Sequence, residues 1–191
     1  MNTIKQKTIS ELIIKNSKFI TILYPIKEKE EVEILLQECK KDYPKATHYC
    51  YAYITLNHKK AWDDKEPTGT AGLPILNILE KEHMQNILAV VIRYFGGIKL
   101  GAGGLIRAYS KATKQTLVLA TKIPLIKAFK CELQLPYERE KRLIPLLQTT
   151  EIITTTYLEN ITYILLVPEQ HPLLKEPNIQ ILAPTYMKKT E

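Results

Sequence analysis

The stretch that decides the fold is residues 89–104, which read AVVIRYFGGIKLGAGG. The apolar, β-prone run from Asn86 to Phe95 that ends in this stretch predicts a central strand covered on both faces. All seven glycines of the 191-residue chain lie between Gly69 and Gly104. Glycine is placed where φ must be positive or where another group approaches the main chain closely. The glycine window therefore predicts a functional site.

Working outward, apolar spacing predicts an alternation of strands and helices in the first half. Strands are expected at residues 17–26, 48–56 and 86–95, and helices at 29–43, 70–82 and 104–120. Residues 62–68 are expected to form an acidic connection. In the last helix, Ile106 is expected to face the core together with Leu105, Tyr109, Ala112, Thr116 and Ala120.

The composition changes at residues 122–124, which predicts two domains, 1–122 and 123–191. Strands are expected at residues 127–135, 152–158, 161–167 and 179–186. A helix is expected at residues 137–147, which Pro145 should shorten. This βαββ(α)β order predicts a ferredoxin-like domain whose second helix is degraded.

The net charge of +7 is concentrated in one part of the chain. Residues 83–131 contain no Asp or Glu but eight Lys and Arg, so this segment contributes +8 and the remainder contributes −1. Segregated positive charge favours an anionic partner such as RNA or phosphate.

Composition also excludes several protein classes. The longest apolar run, Ile87–Ile92, is too short to span a bilayer, and the polar N-terminus is not a secretory signal. Cys39, Cys50 and Cys131 are far apart and lack metal or redox spacing, which favours reduced, buried thiols. We therefore expect a cytoplasmic protein with no membrane partner, metal or cofactor; the oligomeric state stays undetermined.

The glycines at Gly101–Gly104 lead into a helix whose first N–H groups can face an anion. Lys99 precedes them, and Arg107, Lys111 and Lys114 share one helix face. The spacing fits neither a P-loop nor a dinucleotide fingerprint. An anion site and a plain structural turn both stay open. The candidate anion-binding residues are Arg93, Tyr94, Gly96, Gly97, Lys99, Gly101, Gly103, Gly104, Arg107, Lys111 and Lys114.

The acidic cluster Asp63, Asp64 and Glu66 also has two interpretations. The carboxylates can bind Mg²⁺ or act as acid and base. Alternatively, they bond to turn N–H groups or pair with Arg93 or Lys99, while Thr68 or Thr70 caps the next helix. The second interpretation is favoured. His48 is a weak catalytic candidate, because a lone His is usually structural.

Three blocks of sequence are similar to the YigZ/IMPACT family: residues 46–53 (ATHYCYAY), 63–76 (DDKEPTGTAGLPIL) and 91–109 (VIRYFGGIKLGAGGLIRAY). Two positions depart from the family pattern. Lys65 stands where the family usually has Gly, which weakens the expectation of a positive φ there. Thr68 replaces the usual Ser and keeps the hydroxyl.

This resemblance implies a two-domain α+β protein. Its first domain would be like domain IV of elongation factor G, with an uncommon left-handed βαβ crossover, and its second domain would be ferredoxin-like. Eukaryotic members of the family regulate translation. The leading hypothesis is a non-enzymatic protein that binds RNA or the ribosome. The alternatives are an enzyme that acts on a phosphorylated or nucleotide substrate through Asp63, Asp64 and Glu66, with Mg²⁺ and His48, and an interaction module for an acidic protein.

Overall fold

A computed structural model describes residues 1–189 of the chain. The polypeptide divides into two compact units, Met1–Ile123 and a second unit that begins at Pro124. Each unit combines a sheet with helices, so the protein is a two-domain α+β protein, as the sequence predicts. Across residues 1–189, no helix has the length and apolar character needed to cross a membrane.

The first unit is built on a five-stranded sheet of order β2-β3-β6-β4-β5, in which all neighbours are antiparallel. Its elements are β1 (Asn2–Ile4), β2 (Thr8–Ile14), β3 (Ser17–Pro25), α1 (Glu31–Asp42), β4 (His48–Ile54), β5 (Lys59–Trp62), α2 (Gly72–Lys81), β6 (Ile87–Tyr94) and α3 (Ala102–Leu119).

Strand β6 is the centre of this unit, and both of its faces are covered. Ile87, Ala89 and Val91 pack in a core with α2 and α3, whereas the alternating Leu88, Val90 and Ile92 belong to the core that contains α1. Both β3 and β4 run antiparallel to β6, so they are parallel to each other and α1 connects them as a βαβ unit. The continuous apolar run in β6 is explained by this burial on two sides.

The second unit contains β7 (Lys122–Leu135, whose first two residues belong to the first unit), α4 (Tyr137–Leu147), β8 (Glu151–Tyr157), β9 (Ile161–Pro168), a short 3₁₀ helix (Pro172–Lys175) and β10 (Ile179–Lys188). The strand order β10-β7-β9-β8 corresponds to 4-1-3-2 within the unit, and the neighbours are antiparallel. This is the ferredoxin-like arrangement. The single 3₁₀ turn before β10 confirms that the second helix is degraded.

Three strands were absent from the sequence-based prediction: β1, β2 and β5. β2 is an edge strand with only half-buried or exposed side chains, so its hydrophobic signal is weak. It is joined to β3 by the two-residue turn Lys15-Asn16, where φ is 45° and 63°. β5 has only four residues and is also at an edge.

Two details of the predicted helices were wrong. Pro145 does not shorten α4, because it lies in the last turn, where only two further residues follow it. Ile106 does not face the core; its side chain is 42% exposed, since it lies one residue beyond the buried stripe that contains Leu105.

We predict that Gly96→Ala destabilises the first unit by at least about 2 kcal/mol, the range for overpacking without room to relax. A Cβ at Gly96 would lie 2.0 Å from the carbonyl carbon of Asn16 and 2.4 Å from the backbone nitrogen of Ser17. Urea unfolding followed by the fluorescence of Trp62, the single tryptophan, measures the effect.

The matched control is Gly103→Ala, where the nearest atom to a new Cβ is the flexible Arg107 side chain at 3.7 Å. This helical position should be unchanged or slightly stabilised. Equal unfolding midpoints for both variants would show that Gly96 is not required for close packing.

Candidate functional site

The carboxylate of Asp63 holds the beginning of α2. It accepts backbone N–H bonds from Gly69 at 2.9 Å, Ala71 at 3.0 Å and Gly72 at 2.8 Å. A carboxylate of the acidic cluster therefore does bond to the turn and to the beginning of the helix, as expected, but the residue that does so is Asp63 rather than Thr68 or Thr70. The Thr70 hydroxyl instead donates to the carbonyl of Pro67 at 2.6 Å.

Asp64 connects the acidic turn to the first residues of β4. Its Oδ2 accepts the backbone N–H of Tyr49 at 2.6 Å, and its carbonyl oxygen lies 2.7 Å from Nδ1 of His48. The backbone of the turn has positive φ at Asp64 (41°) and at Lys65 (67°). Lys65 therefore adopts the left-handed conformation, contrary to the inference drawn from its departure from glycine.

Glu66 is buried and forms an ion pair with Arg93 of β6. Arg93 Nη1 lies 2.5 Å from Glu66 Oε1, and the two residues are only 4% and 8% exposed. The Tyr109 hydroxyl of α3 donates to the same oxygen at 2.8 Å. His48 Nε2 lies 3.8 Å from it. One carboxylate oxygen thus joins the acidic turn, the central strand and helix α3.

The Arg93 side chain is enclosed on its other sides as well. Its guanidinium lies 5.5 Å from the ring centroids of both Phe19 and Phe95. Its Nη2 donates to the Ser17 hydroxyl at 3.3 Å, and that hydroxyl also accepts the N–H of Gly96 at 3.2 Å. Arg93 therefore belongs to the interior. Its inclusion among the candidate anion-binding residues was wrong, because it does not contribute to an exposed surface.

Cys50 and Tyr109 extend this buried network. The Cys50 thiol lies 3.3 Å from the Tyr109 hydroxyl and 3.0 Å from the carbonyl oxygen of Asp63. Burial is the main cause that raises the pKa of both groups, and the neighbouring Glu66 carboxylate raises both further. Both groups therefore stay protonated at neutral pH, so Cys50 does not present a thiolate nucleophile.

All three carboxylates of the acidic cluster are thus bonded within the fold, which confirms the turn and ion-pair interpretation. Within residues 1–189, no group of three or more His, Cys, Asp or Glu side chains is arranged to hold a metal ion.

The glycine-rich loop after β6 lies on the surface. Gly97 and Gly101 have φ of 84° and 70°, and open space surrounds the position of a Cβ at each. Gly101 is the N-cap of α3, with no side-chain cap, and Gly103 and Gly104 lie in its first turn. The first N–H groups of this helix therefore face outward without a capping side chain.

Four cations of this loop and of helix α3 are exposed, and we call them the basic surface: Lys99, Arg107, Lys111 and Lys114. The remaining cations of the acid-free segment lie elsewhere. Arg93 is buried, Lys122 pairs with Glu82 at 2.8 Å, and Lys127 and Lys130 belong to the second unit. The excess charge is therefore divided among a buried residue, an ion pair and exposed cations of the two units.

Of the two aromatic residues at the end of β6, only Phe95 is available for stacking. The Tyr94 ring packs against the core that contains α1, and its hydroxyl donates to the Pro44 carbonyl at 3.3 Å. The Phe95 side chain is 45% exposed. Tyr94 therefore has a structural role, and Phe95 is the better candidate for contact with a base.

One basic residue near this surface was absent from the sequence-based set. Lys15, in the turn between β2 and β3, lines the same small cavity as Arg107 and Lys111. The available signal was Lys15-Asn16 between two apolar segments, a dipeptide that suits a tight hairpin. It was missed because β2 was not predicted.

Comparison with known proteins settles the family. The Impact N-terminal domain model matches residues 15–117. The chain belongs to the IMPACT family. It is 46% identical over 118 residues to the IMPACT family member YvyE of Bacillus subtilis, covering 60% of this chain and 54% of that relative. The match therefore spans little more than half of YvyE.

A relative from Thermus thermophilus, described as an IMPACT family member in the pol 5′ region, is 35% identical over 140 residues, covering 73% of this chain and 76% of the relative. A crystal structure of a hypothetical protein superposes with a TM-score of 0.69 at 29% identity, covering 95% of this chain and 96% of the other. These findings confirm the resemblance inferred from the three sequence blocks.

We predict that Asp63→Asn destabilises the first unit by about 2 kcal/mol or more. Hydrogen bonds to a charged group contribute about 1.5–3 kcal/mol. The Asn side chain has only one oxygen, so it cannot accept all three N–H groups. Urea unfolding followed by Trp62 fluorescence measures the loss. Asp42→Asn, an exposed carboxylate at the end of α1, should change stability by less than about 0.5 kcal/mol. Similar small effects for both would contradict the capping role.

We also predict that the three cysteines resist alkylation in the folded protein. Cys39, Cys50 and Cys131 are buried and unpaired, and burial raises the pKa of each thiol. Iodoacetamide at pH 8 should modify them only after urea is added, as intact mass would show. Modification of any one at its unfolded rate would contradict its burial.

The same shifts predict a loss of stability at alkaline pH. The folded chain keeps its thiol protons, whereas the unfolded chain loses them near the ordinary thiol pKa of about 8.5. The contribution of the thiols to the free energy of unfolding should therefore be constant below this pH and fall as pH rises above it. Cys50→Ala should reduce the slope; an unchanged slope would show that Cys50 ionises without unfolding.

Proposed function

We propose that this protein is a non-enzymatic nucleic-acid- or ribosome-associated protein that modulates translation and binds its partner through the basic surface. The observation that carries the proposal is the separation of charge in the first unit. The acidic cluster is bonded inside the fold, whereas Lys99 is exposed in the loop and Arg107, Lys111 and Lys114 are exposed along α3, whose N-terminus has no capping side chain.

The cations of the basic surface form no ion pair among the described residues, which leaves them free to attract an anion. Among the ion pairs within residues 1–189, none involves Lys99, Arg107, Lys111 or Lys114. Exposed, unpaired Lys and Arg side chains bind phosphates by releasing condensed counterions. The positive end of the α3 dipole adds to the attraction at the glycine-rich loop.

The exposed ring of Phe95 favours a single-stranded segment as the ligand. Aromatic side chains beside a basic groove stack unpaired bases with little sequence preference. Phe95 directly precedes the Gly96–Gly97 turn that leads to Lys99. A strand whose phosphates contact the basic surface can therefore place a base on this ring.

Two alternatives are weighed against this proposal. An enzyme that uses Asp63, Asp64 and Glu66 needs carboxylates that can bind a substrate or Mg²⁺, but each already accepts hydrogen bonds within the fold. An interaction module for an acidic protein would use the same basic surface, so binding measurements separate it from the leading proposal. Membership of the IMPACT family supports the role in translation.

The experiment measures binding of a single-stranded RNA by fluorescence anisotropy over a range of salt concentrations. For four phosphate contacts, log K should fall with log salt with a slope of roughly −3, because each contact on a single strand contributes about −0.7. Lys99→Glu combined with Lys111→Glu should abolish most of the affinity and flatten this slope.

The matched control is Lys40→Glu combined with Lys41→Glu, which makes the same change in net charge on α1, on the opposite side of the sheet. Its binding should fall only slightly. Failure of the wild-type protein to bind RNA or ribosomes at low salt, or equal losses for the two double variants, would contradict the proposal. Capture of an acidic protein that survives nuclease treatment would favour the interaction module.

A further inference from the structure

A small cavity lies between the β2–β3 turn and the first turns of α3. Its volume is about 190 Å³. Three cations line it: Lys15 from the turn, and Arg107 and Lys111 from the helix. The remaining wall is formed by small or apolar residues, Ile14, Leu100, Gly104 and Ala108, and includes no carboxylate.

We propose that this cavity binds one phosphate group of a nucleic-acid chain, an inference that rests on the proposed function and assigns its main contact. Three exposed basic residues that line one cavity without a carboxylate raise the local positive potential and so attract an anion. None of the ion pairs formed within residues 1–189 includes Lys15, Arg107 or Lys111. An anion therefore supplies the missing opposite charge.

The fold fixes the backbone positions of the three basic residues. Lys15 lies in a two-residue turn with positive φ at both positions. The strand before this turn is fixed to α3 by the hydroxyls of Ser10 and Thr116, 2.7 Å apart, and by a 3.1 Å bond from Gln115 Nε2 to the Glu11 carbonyl. Arg107 and Lys111 are one helical turn apart on α3. The turn and the helix therefore both contribute basic residues to the lining of this cavity.

The volume of the cavity limits the size of the group that it can bind. Pockets that enclose drug-sized ligands have volumes of roughly 300–1,000 Å³, and a water molecule in the liquid occupies about 30 Å³. A cavity of about 190 Å³ therefore admits a phosphate group but does not enclose a whole nucleotide. A phosphate within a chain fits this limit, because the sugar and base on either side stay outside.

Free inorganic phosphate and a chain phosphate share this chemistry, so the experiment has an arm for each. The first arm uses a single-stranded RNA that has no terminal phosphate. It measures the affinity of this RNA for Lys15→Gln and for the matched control Lys114→Gln. Lys114 belongs to the basic surface and lies on the same helix but does not line the cavity. Both variants remove one positive charge. The second arm measures the thermal shift caused by inorganic phosphate against chloride at equal ionic strength.

The inference predicts at least a tenfold loss of RNA affinity for Lys15→Gln, but only a two- to threefold loss for Lys114→Gln. Lys111→Gln, a second cavity variant, should lose as much as Lys15→Gln, which covers the case in which the turn variant fails to fold. Inorganic phosphate should raise the melting temperature of the wild type more than that of Lys15→Gln.

Equal losses for the Lys15 and Lys114 variants would overturn the cavity assignment while the proposed function stands. Wild-type protein that is stabilised by inorganic phosphate but does not bind RNA would assign the cavity to a small phosphorylated ligand. That result would overturn both the chain-phosphate assignment and the proposed function. The absence of both RNA binding and a phosphate-specific thermal shift in the wild type would contradict both proposals at once.

Discussion

The ion pair between Glu66 and Arg93 fastens the acidic turn to the central strand of the first unit. Removing two charges from water costs several kcal/mol per ion, and a buried pair offsets this only when further hydrogen bonds satisfy its atoms. Here Tyr109 donates to the same Glu66 oxygen and Ser17 accepts from Arg93. Because Glu66 is held in this way, the turn before it places Asp63 at the N–H groups of α2.

The same ion pair determines which cations are exposed. Because Arg93 pairs with Glu66, its guanidinium is buried, and it lies against the rings of Phe19 and Phe95. The chain then leaves β6 through Gly96, which packs so closely on Asn16 and Ser17 that no side chain fits. Beyond this point the loop turns outward, and Lys99 and the cations of α3 are exposed. The acidic cluster therefore serves the fold, while the basic residues that follow the loop are available to bind a partner.

Strong periodic signals made much of this fold predictable from sequence. β6 is apolar on both faces and α3 has a continuous buried stripe, so both were found with small errors at their ends. β2 was missed because an edge strand with half-buried side chains has little hydrophobic contrast, and Lys15 was lost with it. Sequence spacing likewise cannot separate a buried cation such as Arg93 from an exposed one such as Lys99. That distinction depends on a partner, Glu66, which lies 27 positions away in the sequence.

The central claim is that Glu66 stabilises the fold and takes no part in the proposed binding of RNA. The most direct test measures urea unfolding and RNA affinity on the same Glu66→Gln protein. Gln keeps the shape but leaves the Arg93 charge buried without a counter-charge, which should cost about 3–5 kcal/mol of stability. The affinity of the folded protein for RNA should stay within about twofold of the wild type, since the basic surface is unchanged. Normal stability combined with lost RNA binding would contradict the account and place Glu66 in the functional site.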